Sequence, residues 1–125
     1  MTGTGFGGVQ GAQPRTLGLG LLQQGVYSVQ VGPTTDYMTE VITWWALTVS
    51  SPNPGDHILA TFHDAATSSA IPLWQLAITT DFLSFNEPVW IPLLNNGQYV
   101  FFEASGAGIY GLVVGGFETP RVTLD

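Results

Sequence analysis

The chain has 125 residues, one domain's worth, of which 9% are charged, against roughly 25% in an ordinary soluble domain. Nine acidic residues face two Arg and no Lys, the net charge is −7, and Cys is absent. These counts exclude a disulfide scaffold, a zinc knuckle, a thiol enzyme and an electrostatic nucleic-acid binder, and a 45% hydrophobic content excludes disorder.

Residues 1–25 hold eight of the 16 Gly, no acidic residue and one cation, Arg15. Glycine this dense is too costly in entropy for a helix. The segment is expected to be an extended N-terminal arm, with residues 26–125 as the folded domain. Leu17-Gly18-Leu19-Gly20-Leu21-Leu22 puts four Leu within six residues. Such a cluster does not belong in water, so the arm is expected to dock on a groove of this domain or of a neighbour.

Strands are expected at 26–31, 38–50, 57–63, 71–79, 89–94, 98–104, 109–114 and 117–124. Pro33-Thr34-Thr35-Asp36 and Ser51-Pro52-Asn53-Pro54-Gly55-Asp56 are turn clusters. Residues 65–69 and 81–86 read as loops. Asn95-Asn96-Gly97 between apolar runs predicts a hairpin with a type I′ turn. Pro72, Pro88 and Pro92 fall within or beside strands and suit sheet edges. No window carries a helical period. Eight short strands at regular spacing predict an all-β antiparallel sandwich, of jelly-roll type first and immunoglobulin-like second.

Several strands are apolar on both faces. Strict alternation over 38–50 puts Val41, Thr43, Trp45, Leu47 and Val49 on one face. Glu40, Ile42, Trp44, Ala46 and Thr48 fall on the other. Trp44 and Trp45 must then point to opposite faces, and only one face can meet the core. The other Trp needs cover from the arm or a subunit interface, or serves as a sugar-stacking platform. Trp74, Leu76 and Ile78 oppose Ile71, Leu73 and Ala77 in the same way. Val89, Ile91 and Leu93 oppose Trp90 and Leu94.

Catalytic and metal constellations are weak. His57 and His63 share a face but stand about 20 Å apart at roughly 3.3 Å per residue, too far for one ion. Neither Gly106-Ala107-Gly108 nor Gly115-Gly116 is followed by the Lys of a phosphate loop. Asp81, Glu87 and Glu103 could supply a glycosidase pair only if a deep cleft brought two together. Asn53, Asp56, Asp64 and Asp81 are the oxygen donors that neighbouring loops would have to gather for calcium. The expectation is no catalytic residue, no metal and no cofactor.

The surface is built from hydroxyls and amides: Ser, Thr, Asn and Gln total 32. Such a surface is weakly self-repelling and suits packing against copies of itself. The start of the sequence lacks a signal-peptide pattern, and no apolar run approaches a membrane helix, so synthesis in a cytoplasm and no membrane partner are expected.

Together these features resemble the small virion proteins of tailed bacteriophages. They comprise the Gly-rich arm, the Cys-free and Lys-free acidic body, and the run Pro92-Leu93-Leu94-Asn95-Asn96-Gly97-Gln98-Tyr99-Val100-Phe101-Phe102 leading to Gly115-Gly116-Phe117. The resemblance is one of style and covers most of the chain. It implies a non-enzymatic capsid decoration or tail accessory protein. Such a protein would be a homo-oligomer, a trimer foremost, bound to capsid or another virion protein. The expected assembly residues are Arg15, Leu17, Leu19, Leu21 and Leu22, one of Trp44 or Trp45, and Arg121. A carbohydrate- or receptor-binding module that uses exposed aromatics is the alternative.

Overall fold

Runs of Val, Ile, Thr and aromatic residues between Pro- and Gly-bearing turns form pleated strands, as their side-chain shapes favour. The computed structural model describes residues 13–51, 53–79 and 84–120. Eight strands form: β1 (Gln13–Leu22), β2 (Val29–Val31), β3 (Met38–Ser51), β4 (His57–Asp64), β5 (Ser69–Ala77), β6 (Ser84–Leu93), β7 (Gln98–Ser105) and β8 (Ile109–Pro120). They make two antiparallel four-stranded sheets, β1-β8-β3-β6 (sheet I) and β2-β7-β4-β5 (sheet II). The all-β antiparallel sandwich is therefore the fold. Among the described residues no helix is long and apolar enough to cross a membrane.

The pairing is nested. β1 lies against β8, β2 against β7, β3 against β6 and β4 against β5. The chain runs like one long hairpin bent over until its two layers face each other. Between the layers Trp45 packs on Trp74 and, edge to face, on Phe102, each at a centroid distance of 5.3 Å. Leu22, Ile42, Leu47, Ile58, Leu93, Tyr110 and Leu112 complete the buried centre.

Several elements differ from expectation, each for a tertiary reason. The segment Gln13–Leu22, expected within an arm, is edge strand β1, paired with β8 from Gln13↔Glu118 to Leu22↔Tyr110 with a shift of register between Thr16 and Gly18. Its glycines serve close approach. A Cβ on Gly18 would stand 2.5 Å from Val31 Cγ2, and one on Gly20 3.0 Å from Val29 Cγ2. The alternation of Leu and Gly thus lets an edge strand lie tightly on β2. Residues 1–12 of the expected arm lie outside the described residues.

β8 runs unbroken through Gly115-Gly116, where two strands were expected. β6 starts at Ser84, inside the expected loop. The Asn95-Asn96-Gly97 turn does not make a hairpin, because β6 belongs to sheet I and β7 to sheet II. Gln98 N–H donates to Asn95 O at 3.1 Å, and Gly97 has φ +108° while Asn96 has no positive φ. The turn is therefore not type I′, which needs positive φ at both central residues, and it carries the chain between layers. Finally, β3 has a bulge between Ile42 and Trp44. It shifts the alternation by one residue, so Glu40 and Ile42 share the inner face with Trp45 and Leu47.

Candidate functional site

The bulge decides what sheet I shows to solvent. Trp45 is 2% exposed in the core, whereas Trp44 is 37% exposed on the outer face. The Trp44 ring lies over Gly115 in the neighbouring strand, in the space a Cβ would need. Leu19, Val113 and Ala46 follow in one cross-strand row of β1, β8 and β3. Phe117 pairs with Val41, and the Trp90 ring tilts onto Phe117 at 5.7 Å. Val41 is buried yet stands outside the core cluster, so it is covered from the outer side.

The outer face of sheet I therefore carries a second apolar layer, with Leu19 72% and Trp90 66% exposed. A solvated sheet face ordinarily alternates to polar residues. Contiguous exposed apolar surface of this kind marks an interaction site.

At the end of this sheet Arg15 Nη1 donates to Glu118 Oε1 at 2.6 Å. Glu118 stands directly across from Glu40 in the β3–β8 ladder. Glu40 is 9% exposed, and its Oε1 has no hydrogen-bond partner among the described residues. Burial first, and the neighbouring Glu118 second, raise the Glu40 carboxyl from 4.5 to about 7, while Arg15 pulls the other way. Near neutral pH the Glu40 carboxyl therefore holds its proton far more readily than an exposed one.

At one edge of the core, Asp56 is a buried and fully engaged carboxylate. It accepts from Gly108 N–H at 2.9 Å, Tyr110 O–H at 2.9 Å and Asn53 Nδ2 at 2.7 Å. Burial pushes its carboxyl up, but these donors outweigh burial and hold it below the usual carboxylate value. With every donor supplied from within, this cluster is a pin between the β3–β4 turn and β8.

The expected assembly residues divide among these settings. Leu19 and Leu21 are exposed on β1, and Trp44 is on the outer face. Leu17 packs partly on the core, and Leu22 and Trp45 are wholly within it, so these two are not available to a partner. Arg15 is taken up by Glu118, and Arg121 lies outside the described residues. Val113, Phe117 and Trp90 belong to the same face and were not singled out; the alternation along their strands was the available signal.

The chemical candidates separate. Glu87 alternates with Phe85 and Val89 on the inner side of β6, whereas Glu103 is exposed on sheet II. Asp64 ends β4 and Asp56 precedes its start, so among the described residues only Asn53 and Asp56 of the possible calcium donors meet. Asp81 lies outside the described residues. His57 and His63 open and close the run His57–His63 on β4, and His63 stacks on Tyr99 at 4.8 Å. Among the described residues no group of three or more His, Asp or Glu could hold a metal ion.

No family model matches this chain, and no curated protein matches it. Among solved structures it is similar to the NLP-core of Drosophila, whose structure is described as giving insight into pentamer formation and histone binding. The identity is 15% and the TM-score 0.52, over 89% of this chain and 99% of that one. This likeness shows the sandwich fold. A mutant of a carbohydrate binding module of family 29 matches at 8% identity and TM-score 0.48, over 87% of this chain and 92% of that one. A structure of infectious bursal disease virus, Gx strain, matches at 10% identity and TM-score 0.40. That match covers 90% of this chain and 37% of the viral one.

Proposed function

We propose that the chain is a non-enzymatic structural subunit that works as a homo-oligomer on a virion surface, as a capsid decoration or tail accessory protein. The observation that carries the assembly reading is the second apolar layer on sheet I, formed by Leu19, Val113, Trp44, Phe117 and Trp90. Covering that face removes apolar surface from water at roughly 25 cal/mol per Å². The scarcity of charge lowers the electrostatic cost of packing copies together.

The virion setting rests on the stylistic resemblance, and so does the trimer as the favoured ring. The nested strand pairing supports the jelly-roll form of the sandwich. A non-enzymatic role agrees with Glu87 and Glu103 standing on different sheets.

Light scattering on the full chain and on Trp90→Glu tests the assembly reading. A wild-type mass of several chains that falls in the variant supports it. A monomer in both overturns it. Glycan binding is the second reading, favoured by the exposed Trp90 ring and by a groove of about 400 Å³ lined by Gln30, Asn96, Gln98 and Tyr99. Quenching of Trp fluorescence by neutral oligosaccharides, with a monomeric mass, would select it.

A further inference from the structure

The four sheet edges are not alike. β2 has three residues, too short to template another strand. β5 is interrupted by Pro72, and β6 by Pro88 and Pro92, which have no N–H to give a ladder. β1 has ten residues, with proline only at position 14. Among the described residues its sole ladder is the one with β8, so its other side offers unpaired N–H and C=O groups. Short strands, prolines, lysines and bulges are the usual guards of an edge. Three edges carry such guards along their length; β1 has one irregularity of register with β8, between Thr16 and Gly18, and from Gly18 to Leu22 it carries none.

We propose that β1 pairs antiparallel with β1 of a second copy of this chain across a two-fold axis, joining two copies of sheet I into one eight-stranded sheet. This rests on the self-assembly reading above and adds a second contact to the outer-face contact of that reading, so that a three-membered ring would double to six copies.

Two observations favour a second copy as the occupant. A ladder of this length needs a partner edge free of prolines, and β1 is the one described edge of this chain that qualifies. Two-fold pairing also sets the strand against a second copy of its own residues, i against j and j against i, which is repulsive where the strand carries charges of one sign. From Thr16 to Leu22 β1 has no charged residue, and Arg15 just before it is neutralised by Glu118. Leu19 and Leu21, the exposed Leu side chains of the strand, would stand beside the same two residues of the second copy on one face across the axis. The pairing is isologous and closes at two copies. A larger ring then needs the outer face of sheet I as its second contact.

The native absence of Cys gives a clean background for the test. Leu19→Cys and Leu21→Cys are placed in the full chain and oxidised mildly, with Val113→Cys on the adjoining strand as comparison. Light scattering is run on wild type and on Leu19→Lys, an exposed position where folding is readily checked by circular dichroism. The expected results are cross-linked pairs at 19 or 21 but not at 113, an even copy number for wild type, and a two-fold fall in mass for the folded Leu19→Lys. An odd copy number, or an unchanged mass in Leu19→Lys with cross-links at 113 alone, overturns the edge pairing and leaves self-assembly standing. A monomeric wild type overturns both.

Discussion

Glu40 and Glu118 face each other in the β3–β8 ladder, and Glu118 is also the partner of Arg15 on β1. Three strands of sheet I thus meet at one pair of carboxyls. Burial and the facing Glu118 favour the protonated form of Glu40, because its ionised form would place two like charges in a half-dry site.

Stability should therefore fall as pH rises from 4.5 to about 7. Across that window folded Glu40 keeps a proton that the unfolded chain has lost. Above about 7 this contribution is flat. Glu40→Gln keeps an N–H donor towards Glu118 and cannot ionise. Its urea midpoint should match wild type near pH 4.5 and exceed it at pH 8 by the equivalent of about 1–3 kcal/mol. Parallel slopes in the two proteins would refute the raised Glu40 carboxyl.

Asp56 acts with the opposite sign. Its carboxyl is held below its usual value of 3.8, so its stabilisation is complete above that value and lost as the solution becomes more acid. Asp56→Ala leaves Tyr110 O–H and Gly108 N–H without an acceptor in a buried place. A loss of about 3 kcal/mol is expected in chemical denaturation at pH 6, together with a shallower acid limb.

Adjacent tryptophans should behave differently. Trp45→Ala removes the centre of the core and should cost about 3–5 kcal/mol. Trp44→Ala lies on the outer face and should cost the isolated subunit no more than about 1 kcal/mol, while weakening assembly. Denaturation read at low and high protein concentration separates the two effects.

Gly18 has no room for a side chain. Gly18→Ala drives a methyl into Val31 and should destabilise by about 1–3 kcal/mol, whereas a flexible arm would tolerate it or gain slightly. A thermal melt decides between these signs.

The pattern of what was legible follows from the range of the interaction concerned. Alternation is local, so the opposite orientations of Trp44 and Trp45 could be read from the chain. The bulge after Ile42 could not, because it is set by pairing with β6 and β8 on either side. Leu-Gly alternation reads as an arm until Val29 and Val31 come to lie beneath it. Gly115-Gly116 reads as a break until Trp44 fills the space above it. Glu40 and Glu118 are far apart along the chain, and only the β3–β8 register brings them together.

The nested pairing has a consequence for the order in which the chain can fold. β8 is the last of the described strands, and it sits between β1 and β3 in sheet I. A growing chain that has not yet delivered β8 can pair β4 with β5, β3 with β6, and later β2 with β7, but β1 has nowhere to go. Loop-closure entropy for the β1–β8 contact is met only at the end, so folding should be slow and should lock in one late step. Until then β1 has no ladder on either side, and it is during synthesis, before β8 has emerged, that this chain is most exposed to aggregation.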